Sequence, residues 1–182
     1  MSVTAVPQTR TTWAIDPAHS HVEFAVKHLM ISTVRGRFGD VQGTATASDG
    51  TFRDALVDIT IGVASIDTRQ PDRDTHLRSA DFFEVDTFPT MTYKSTRVEA
   101  LGDDLRVVGQ LTIRGISKDV VLNVTPEGTG KDPWGGERAG FSATTKINRK
   151  DFGLTWNQAL EAGGFVVGDE IKISIDVELV KQ

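Results

Sequence analysis

Alternation of apolar and polar residues with a period of two runs through most of the chain. In the last segment, Ile171, Ile173, Ile175, Val177 and Leu179 share one face, and polar or charged residues fill the positions between them. Successive side chains of a strand point to opposite sides of the sheet. This segment is therefore predicted to be a strand with one dry face and one wet face.

The same alternation predicts further strands over residues 22–28, 57–63, 105–113, 120–124 and 141–147, and weaker ones over 34–47 and 90–98. Gly36, Gly39 and Gly43 are expected to form bulges or bends in the 34–47 segment. Turn sequences such as Gly102-Asp103 and Pro126-Glu127-Gly128 separate the strands, which favours antiparallel pairing of chain neighbours. About eight strands in this order can close on themselves. The predicted fold is all-β: an extended antiparallel eight-stranded lipocalin-like β-barrel with one short helix.

Two stretches interrupt the alternation. Residues 68–89 contain Pro71 followed by Asp72 and Asp74, and a proline at the first helical position with acidic residues in the first turn predicts a short helix. Residues 148–168 form a long loop, with a helical turn expected near Trp156 to Glu161. Loops of this length in a compact domain are usually functional.

Length and composition fit one globular domain, with 182 residues, 38% hydrophobic and 25% charged. We predict a flexible N-terminal segment over residues 1–12 and a single barrel domain over residues 13–182. The net charge of −5 argues against nucleic-acid or anionic-membrane partners, although a local basic patch is compatible with it. The absence of cysteine excludes disulfides, thiolate metal sites and thiol nucleophiles.

No apolar run reaches the length of about 18 residues that a transmembrane helix needs. The polar stretch from Met1 to Thr12 lacks the apolar centre of a secretory signal. On these grounds the predicted location is the cytoplasm.

The interior of such a barrel can be filled with side chains or can hold one small ligand. The small residues Gly36, Gly109 and Ala143 have inward parity, which would leave room, but periodicity alone fits a packed core equally well. Parity and loop position predict a ligand-binding lining of Phe24, Val26, His28, Phe38, Ile59, Ile61, Met91, Tyr93, Leu111, Phe141, Leu154, Trp156, Phe165, Ile173 and Ile175.

Several residues invite a chemical interpretation, and each has a simpler structural one. His19 and His21 have a spacing that suits two metal ligands, but no third ligand is evident, and we interpret His19 and Ser20 as binding backbone groups where a strand begins. No metal site is predicted. Arg149 beside Asp151 is interpreted as an ion pair at a corner of the barrel, with a phosphate-binding clamp as the alternative.

The helix region contains Asp74 and His76, a carboxylate near an imidazole that could suggest acid–base chemistry. They would point to different sides of the helix, so Asp74 is predicted to cap or pair locally while Leu77 and Phe82 seat the helix on the barrel mouth. His28 and Tyr93 are the titratable residues with inward parity. No catalytic residue and no cofactor is predicted, and an enzyme acting on a lipidic or aromatic substrate is kept as the alternative.

The chain resembles the YceI-like, polyisoprenoid-binding family from about Thr12 to Gln182. The residues that carry the resemblance are Asp16-Pro17-Ala18-His19-Ser20, Val22-Glu23-Phe24, His28, Val34-Arg35-Gly36-Arg37-Phe38, Gly43, Ser65-Ile66-Asp67-Thr68, Arg73-Asp74-Thr75-His76-Leu77, Asp81-Phe82-Phe83, Phe88-Pro89, Gly109-Gln110-Leu111-Thr112-Ile113-Arg114-Gly115, Arg149-Lys150-Asp151-Phe152-Gly153 and Val167-Gly168-Asp169-Glu170. Each motif is weak alone, and together in this order they are specific.

The resemblance implies a lipocalin-like barrel that binds a long-chain isoprenoid or similar amphiphile, such as a polyprenyl chain, quinone tail or fatty-acyl chain. Storage, transport or sequestration of that lipid is the expected function, with the lipid as the small-molecule partner. Many relatives are periplasmic or secreted. A stress-associated interaction protein without a small ligand is a further alternative, and a homodimer formed through a barrel edge or the helix stays open.

Overall fold

The computed structural model describes residues 9–182, and strands make up most of them. The strands are β1 (Thr11–Ile15), β2 (His21–His28), β3 (Ser32–Phe38), β4 (Val41–Ala47), β5 (Leu56–Gly62), β6 (Ile66–Asp67), β7 (Thr90–Leu101), β8 (Asp104–Ile113), β9 (Ile116–Lys131), β10 (Glu137–Asn148) and β11 (Val167–Lys181). One helix, α1 (Pro71–Arg78), and three 3-10 turns complete the described elements.

The eleven segments form the eight strands of a closed barrel, because three barrel strands are interrupted. The first barrel strand consists of β1 and β2, on either side of the 3-10 turn Pro17–His19. The second consists of β3 and β4, separated by Gly39 and Asp40, and the third consists of β5 and β6, on either side of the 3-10 turn Val63–Ser65. Each barrel strand pairs antiparallel with its chain neighbour, and β11 closes the barrel by pairing with β10 on one side and with β2 and β1 on the other. The predicted eight-stranded antiparallel barrel is confirmed.

The strand register brings the inward-facing residues of neighbouring strands side by side. Ile173 lies opposite Thr145 of β10 and Phe24 of β2, and Ile175 lies opposite Ala143. Directly opposite residues of antiparallel strands share a face of the sheet. Continuous apolar rows therefore cross the inner wall of the barrel, as the alternation predicted.

Helix α1 begins at Pro71, as predicted, and its N-terminus is held by side chains. Gln70 accepts a hydrogen bond from the backbone N–H of Arg73 at 2.9 Å. The buried carboxylate of Asp74 accepts hydrogen bonds from the backbone N–H and the hydroxyl of Thr68, at 2.9 and 2.5 Å. The local role predicted for Asp74 is confirmed.

Strand β1 begins at Thr11, two residues before the predicted start of the barrel domain, and residues 1–8 of the predicted flexible segment lie outside the described part of the chain. Two predictions about elements are wrong. Residues 126–128 form no turn: β9 runs through them, with a register shift against β10 between Gly140 and Phe141, and such a bulge accommodates a proline. Residues 156–161 form no helical turn; Ala159 instead pairs with Phe165 in an isolated bridge.

A candidate ligand cavity inside the barrel

An apolar cavity of about 270 Å³ lies inside the barrel. Three lining residues carry a polar side-chain group: Tyr93, Thr145 and Arg149. The remaining lining residues are apolar: Ile15, Val22, Phe24, Val26, Phe38, Val41, Ala45, Phe52, Ala55, Val57, Ile59, Ile61, Leu77, Phe82, Phe83, Met91, Leu105, Val107, Leu111, Ile113, Val120, Leu122, Val124, Phe141, Ala143, Ile147, Leu154, Val167, Ile171, Ile173, Ile175, Val177 and Leu179.

Most of the residues predicted to face the interior do line this cavity. They are Phe24, Val26, Phe38, Ile59, Ile61, Met91, Tyr93, Leu111, Phe141, Leu154, Ile173 and Ile175. Their contact with a ligand stays a prediction.

Three predicted lining residues lie elsewhere. His28 has inward parity but stands at the end of β2, opposite Val167 and beyond the cavity. Trp156 packs edge-to-face on His76, with ring centroids 4.8 Å apart, outside the cavity lining. Phe165 is 54% exposed. The odd or even position of a residue along a strand predicts which face of the sheet it lies on, but not how far along the barrel it lies. In a loop, this alternation predicts no side-chain direction.

One end of the barrel is closed by residues that carry no periodic signal. Phe52, in the loop between β4 and β5, is buried and packs on Trp13 and Phe141, with ring centroids 5.3 and 4.9 Å apart. At the other end, α1 and the segment after it supply Leu77, as predicted, with Phe82. The cavity is thus bounded at both ends by aromatic rings from loop and helix segments.

Two of the small inward residues serve a different purpose from the one predicted. A side chain at Gly36 would collide with the ring of Phe24, and one at Gly109 would meet the Tyr93 ring at 2.7 Å. These glycines therefore give space to neighbouring aromatic rings and not to the cavity. Ala143 does line the cavity, between Val124 and Ile175 in the sheet.

The hydroxyl of Tyr93 is occupied by the barrel wall. It lies 3.0 Å from the carbonyl oxygen of Val107 and 3.1 Å from that of Val120, and donates to them. Burial raises the pKa of Tyr93 above its ordinary value of 10.0. A neutral phenol already bonded to main-chain acceptors is a poor general acid or base.

Arg149 is buried, 2% exposed, at the edge of the cavity, and its donors are directed at the main chain. Its guanidinium donates to the carbonyl oxygens of Gly168 (2.8 Å), Leu154 (2.6 Å), Trp156 (2.9 Å) and Val167 (3.4 Å). Its carboxylate partner is Asp169, at 3.6 Å. The predicted ion pair with Asp151 is therefore wrong.

Burial lowers the pKa of Arg149, and the Asp169 carboxylate opposes that shift. Because the guanidinium has only five N–H groups, these partners leave little donor capacity for a ligand head group.

His19, one of the two histidines considered as metal ligands, lies beside two carboxylates. Asp16, His19 and Glu178 do approach one another, but the guanidinium of Arg138 bonds both carboxylates, with 2.8 Å to Asp16. A guanidinium therefore already bonds both carboxylates of this cluster. Ser20 exchanges hydrogen bonds with the backbone of Glu178, as predicted for a strand entry, whereas His19 bonds the Asp16 carboxylate.

His76 and Asp74 are separated, as predicted. The His76 imidazole lies 2.8 Å from the carboxylate of Asp81 and against the ring of Phe82, at a centroid distance of 5.1 Å. Neither His76 nor Asp81 is part of the cavity lining.

In the part of the chain from residue 9 onward, no helix is long and apolar enough to cross a membrane.

A closed antiparallel meander around an apolar cavity places the protein in the class of lipocalin-like β-barrels. The chain belongs to the YceI-like domain family, whose sequence profile matches residues 13–179. A curated relative, Protein YceI of Salmonella newport, is 41% identical over 164 residues, which cover 90% of this chain and 83% of the relative.

Solved structures share the fold. The YceI protein of Campylobacter jejuni is 35% identical with a TM-score of 0.73, covering 86% of this chain and 90% of its own. A polyisoprenoid-binding domain from Saccharophagus degradans is 17% identical with a TM-score of 0.67, covering 93% and 98% of the two chains, and its likeness concerns the fold.

Proposed function

We propose that the barrel binds the apolar tail of an isoprenoid or similar amphiphilic lipid and acts in its storage, transport or sequestration. The observation that carries the proposal is the cavity of about 270 Å³, enclosed almost entirely by aliphatic and aromatic side chains. This volume is close to the lower limit of roughly 300 Å³ for small-molecule sites, so one extended chain fits better than a bulky ligand. The name of the Saccharophagus degradans domain agrees with this ligand class.

Hydrophobic burial is sufficient for such binding. Each buried CH₂ contributes about 0.8 kcal/mol, so a segment of about ten carbons contributes roughly 8 kcal/mol before the cost of association. The polar groups of Tyr93 and Arg149 are bonded to the main chain. Recognition therefore depends on the shape and apolar character of the tail, and the head group stays at the barrel mouth.

Binding fits the wall chemistry better than catalysis does. Of the two inward titratable residues that would support the enzyme alternative, His28 is not part of the cavity lining, and the Tyr93 hydroxyl is bonded to carbonyl oxygens. Membership of the YceI-like family favours a binding protein as well.

The proposal is tested by filling the cavity from within. Ala143→Leu places a larger side chain against Ile175 inside the barrel, whereas Thr144→Leu makes the same addition on the exposed outer face of the same strand. Binding of a fluorescent polyene fatty acid and of a prenyl alcohol is measured for both variants. We expect at least about a fivefold loss for Ala143→Leu, since overpacking typically costs about 1–3 kcal/mol, and no loss for Thr144→Leu.

Native mass spectrometry and solvent extraction of the purified protein give an independent readout. A co-purifying lipid in the wild type that disappears in Ala143→Leu supports the proposal. Equal probe binding by both variants, with no lipid extracted from the wild type, would overturn it.

A further inference from the structure

The hairpin between β2 and β3 presents large apolar side chains to solvent. Met30 is 68% exposed and Ile31 is 83% exposed. The loop before β11 lies against this hairpin, because the backbone N–H of Leu29 donates to Val166 at 2.9 Å and Met30 occupies the space beside Gly164. Phe165, 54% exposed, lies between those two contact points. Met30, Ile31 and Phe165 are called the apolar tip.

The hairpin keeps these side chains exposed in spite of backbone strain. Leu29 and Met30 have φ angles of 51° and 62°, in the left-handed region that glycine and asparagine favour in tight hairpins. Met30 and Ile31 stay mostly exposed in this turn. Stability of the folded chain therefore does not explain them, whereas contact with an apolar partner does.

Three cations lie beside the apolar tip on the outer wall of the barrel. Lys172 and Arg35 lie on the two strands that flank Ala25, each directly opposite it in the register. Lys27 is two residues further along β2 and so projects from the same face. All three border one surface groove of about 780 Å³ together with Met30.

These cations, called the basic triangle, are exposed and have no carboxylate within salt-bridge distance among residues 9–182. The neighbouring acidic groups have other partners. Glu170 pairs with Lys146 at 3.7 Å, and Asp169 pairs with Lys150 at 3.0 Å. Glu23 lies 3.9 Å from His21. Five basic residues and four acidic residues border the groove, so its balance is positive by one charge, and the three cations of the basic triangle are left available to a ligand: the basic set is Lys27, Arg35, Arg37, Arg69 and Lys172, and the acidic set is Glu23, Asp67, Asp169 and Glu170. At physiological salt, charges within about 8 Å of one another interact most strongly.

We propose that this end of the barrel docks on an anionic phospholipid bilayer. The apolar tip enters the interfacial layer, and the basic triangle binds lipid phosphates. Val26 and Val167, on the strands that carry these features, line the cavity. The inference rests on the proposed function, since docking here brings the helix-side end of the cavity to the bilayer that supplies or receives the lipid.

The test is cosedimentation of the full chain with vesicles of phosphatidylcholine alone and of phosphatidylcholine mixed with phosphatidylglycerol. We expect binding to the mixed vesicles that falls with added salt. Ile31→Ser should lower the partition coefficient at least about tenfold, because it removes an aliphatic side chain available for burial. Each of Lys27→Gln, Arg35→Gln and Lys172→Gln should lower it about fivefold.

The matched control is Trp134→Ser. Trp134 is 87% exposed on the hairpin between β9 and β10, at the other end of the barrel, and its loss should leave vesicle binding unchanged. The proposal is overturned if the wild type binds neither vesicle, or if Trp134→Ser weakens binding as much as Ile31→Ser. It is also overturned if gel filtration shows that Ile31→Ser converts a dimer into a monomer without any vesicle binding by the wild type.

Uptake of a fluorescent fatty acid from solution, without vesicles, separates this proposal from the previous one. Ile31→Ser should take up the probe as the wild type does. Vesicle binding without probe uptake contradicts the proposed function and supports docking. Probe uptake without vesicle binding supports the proposed function and contradicts docking.

Discussion

At the scale of single residues, the environment of Tyr93 shows how a polar side chain is accommodated in an apolar barrel wall. Its ring fills the space that Gly109 leaves on the neighbouring strand, and its hydroxyl reaches the carbonyl oxygens of Val107 and Val120. Because these acceptors belong to β8 and β9, the side chain joins two strands beyond its own. Its hydrogen bond contributes about 1 kcal/mol, as is usual for a buried neutral pair.

The ionisation of Tyr93 should be delayed in the folded protein. Burial raises its pKa above 10.0, so the unfolded chain releases the phenolic proton at a pH where the folded chain still holds it. This contribution to stability is fully present below pH 10.0 and is lost as the pH rises further. Tyr93 is the single tyrosine of the chain, so an absorbance titration reports on it alone.

Tyr93→Phe is the matching variant. It should lose about 1 kcal/mol at neutral pH, and its stability should fall less steeply in alkali than that of the wild type. Titration of the folded wild type at the ordinary tyrosine pKa would contradict the assignment of Tyr93 to the barrel wall.

The residue scale also shows what one strand can reveal about its neighbours. Alternation was sufficient to place Phe24 and Tyr93 on the inner wall, since parity depends only on the strand itself. The function of Gly36 and Gly109 depends on which aromatic residue lies across from them. That information depends on the register between two strands, and the alternation pattern of a single sequence does not predict the register.

At the scale of elements, the side chain of Arg149 bonds both ends of the long loop before β11, and Asn157 adds two hydrogen bonds to Val167. Arg149 donates to Leu154 and Trp156 at the start of this loop and to Val167 and Gly168 at its end. Regular strands obtain their backbone partners from neighbouring strands, whereas an irregular segment needs side chains or water. Arg149 therefore acts as a clasp that holds both ends of the loop at the barrel mouth.

Arg149→Met should release this clasp. The methionine keeps much of the apolar stem, but the carbonyl oxygens lose their donor, at a cost of about 3 kcal/mol or more. We expect a lower midpoint of chemical unfolding and faster proteolysis within the loop. Lys150→Met is the control: this exposed lysine pairs with Asp169 at 3.0 Å, and a surface ion pair contributes less than about 1 kcal/mol. Equal effects of both variants would argue against the clasp.

The elements that were predicted correctly are determined by their own sequence pattern, whereas those that were missed are determined by contacts with other parts of the chain. The strands carry their own pattern, so most were located, and the helix was located from Pro71. The loop takes its shape from Arg149, and β9 passes through Pro126 because a bulge opposite Gly140 and Phe141 permits it. Neither of these contacts produces a periodic pattern of apolar residues in the sequence. The expected helical turn at 156–161 and the expected turn at Pro126 were therefore both wrong.

At the scale of the whole molecule, β11 closes the barrel through fewer residue pairs with β1 than with β2. Three pairs join β11 to β1, namely Trp13–Lys181, Ala14–Val180 and Ile15–Leu179, whereas seven join it to β2. A charged cluster next to this seam adds further bonds. Arg138 of β10 joins Asp16, Glu178 of β11 and Asp132 of the adjacent hairpin. The sequence predicted closure from the strand count, but partners such as Asp16 and Arg138, 122 residues apart, could not be paired from it.

Loss of Arg138 should therefore weaken the seam in a pH-dependent way. Hydrogen bonds from His19 and Arg138 lower the pKa of Asp16 from 3.8 to about 2. The stability that Asp16 contributes is present above pH 3.8 and is lost as the pH falls through about 2. The pKa of His19 is raised by the Asp16 carboxylate, so its contribution is present below pH 6.5 and is lost as the pH rises through the folded value.

Arg138→Met removes one of the groups whose hydrogen bonds lower the pKa of Asp16, so the Tm of the variant should fall by a few degrees at neutral pH. The gap between wild type and variant should narrow as the pH drops from 3.8 toward about 2, because Asp16 becomes protonated in both proteins. Thermal unfolding followed by circular dichroism across this range measures the gap. Lys181→Met, which breaks the exposed pair with Glu137 beside the same seam, should change Tm little. A gap that stays constant down to pH 2 would show that Arg138 stabilises the barrel without the Asp16 carboxylate.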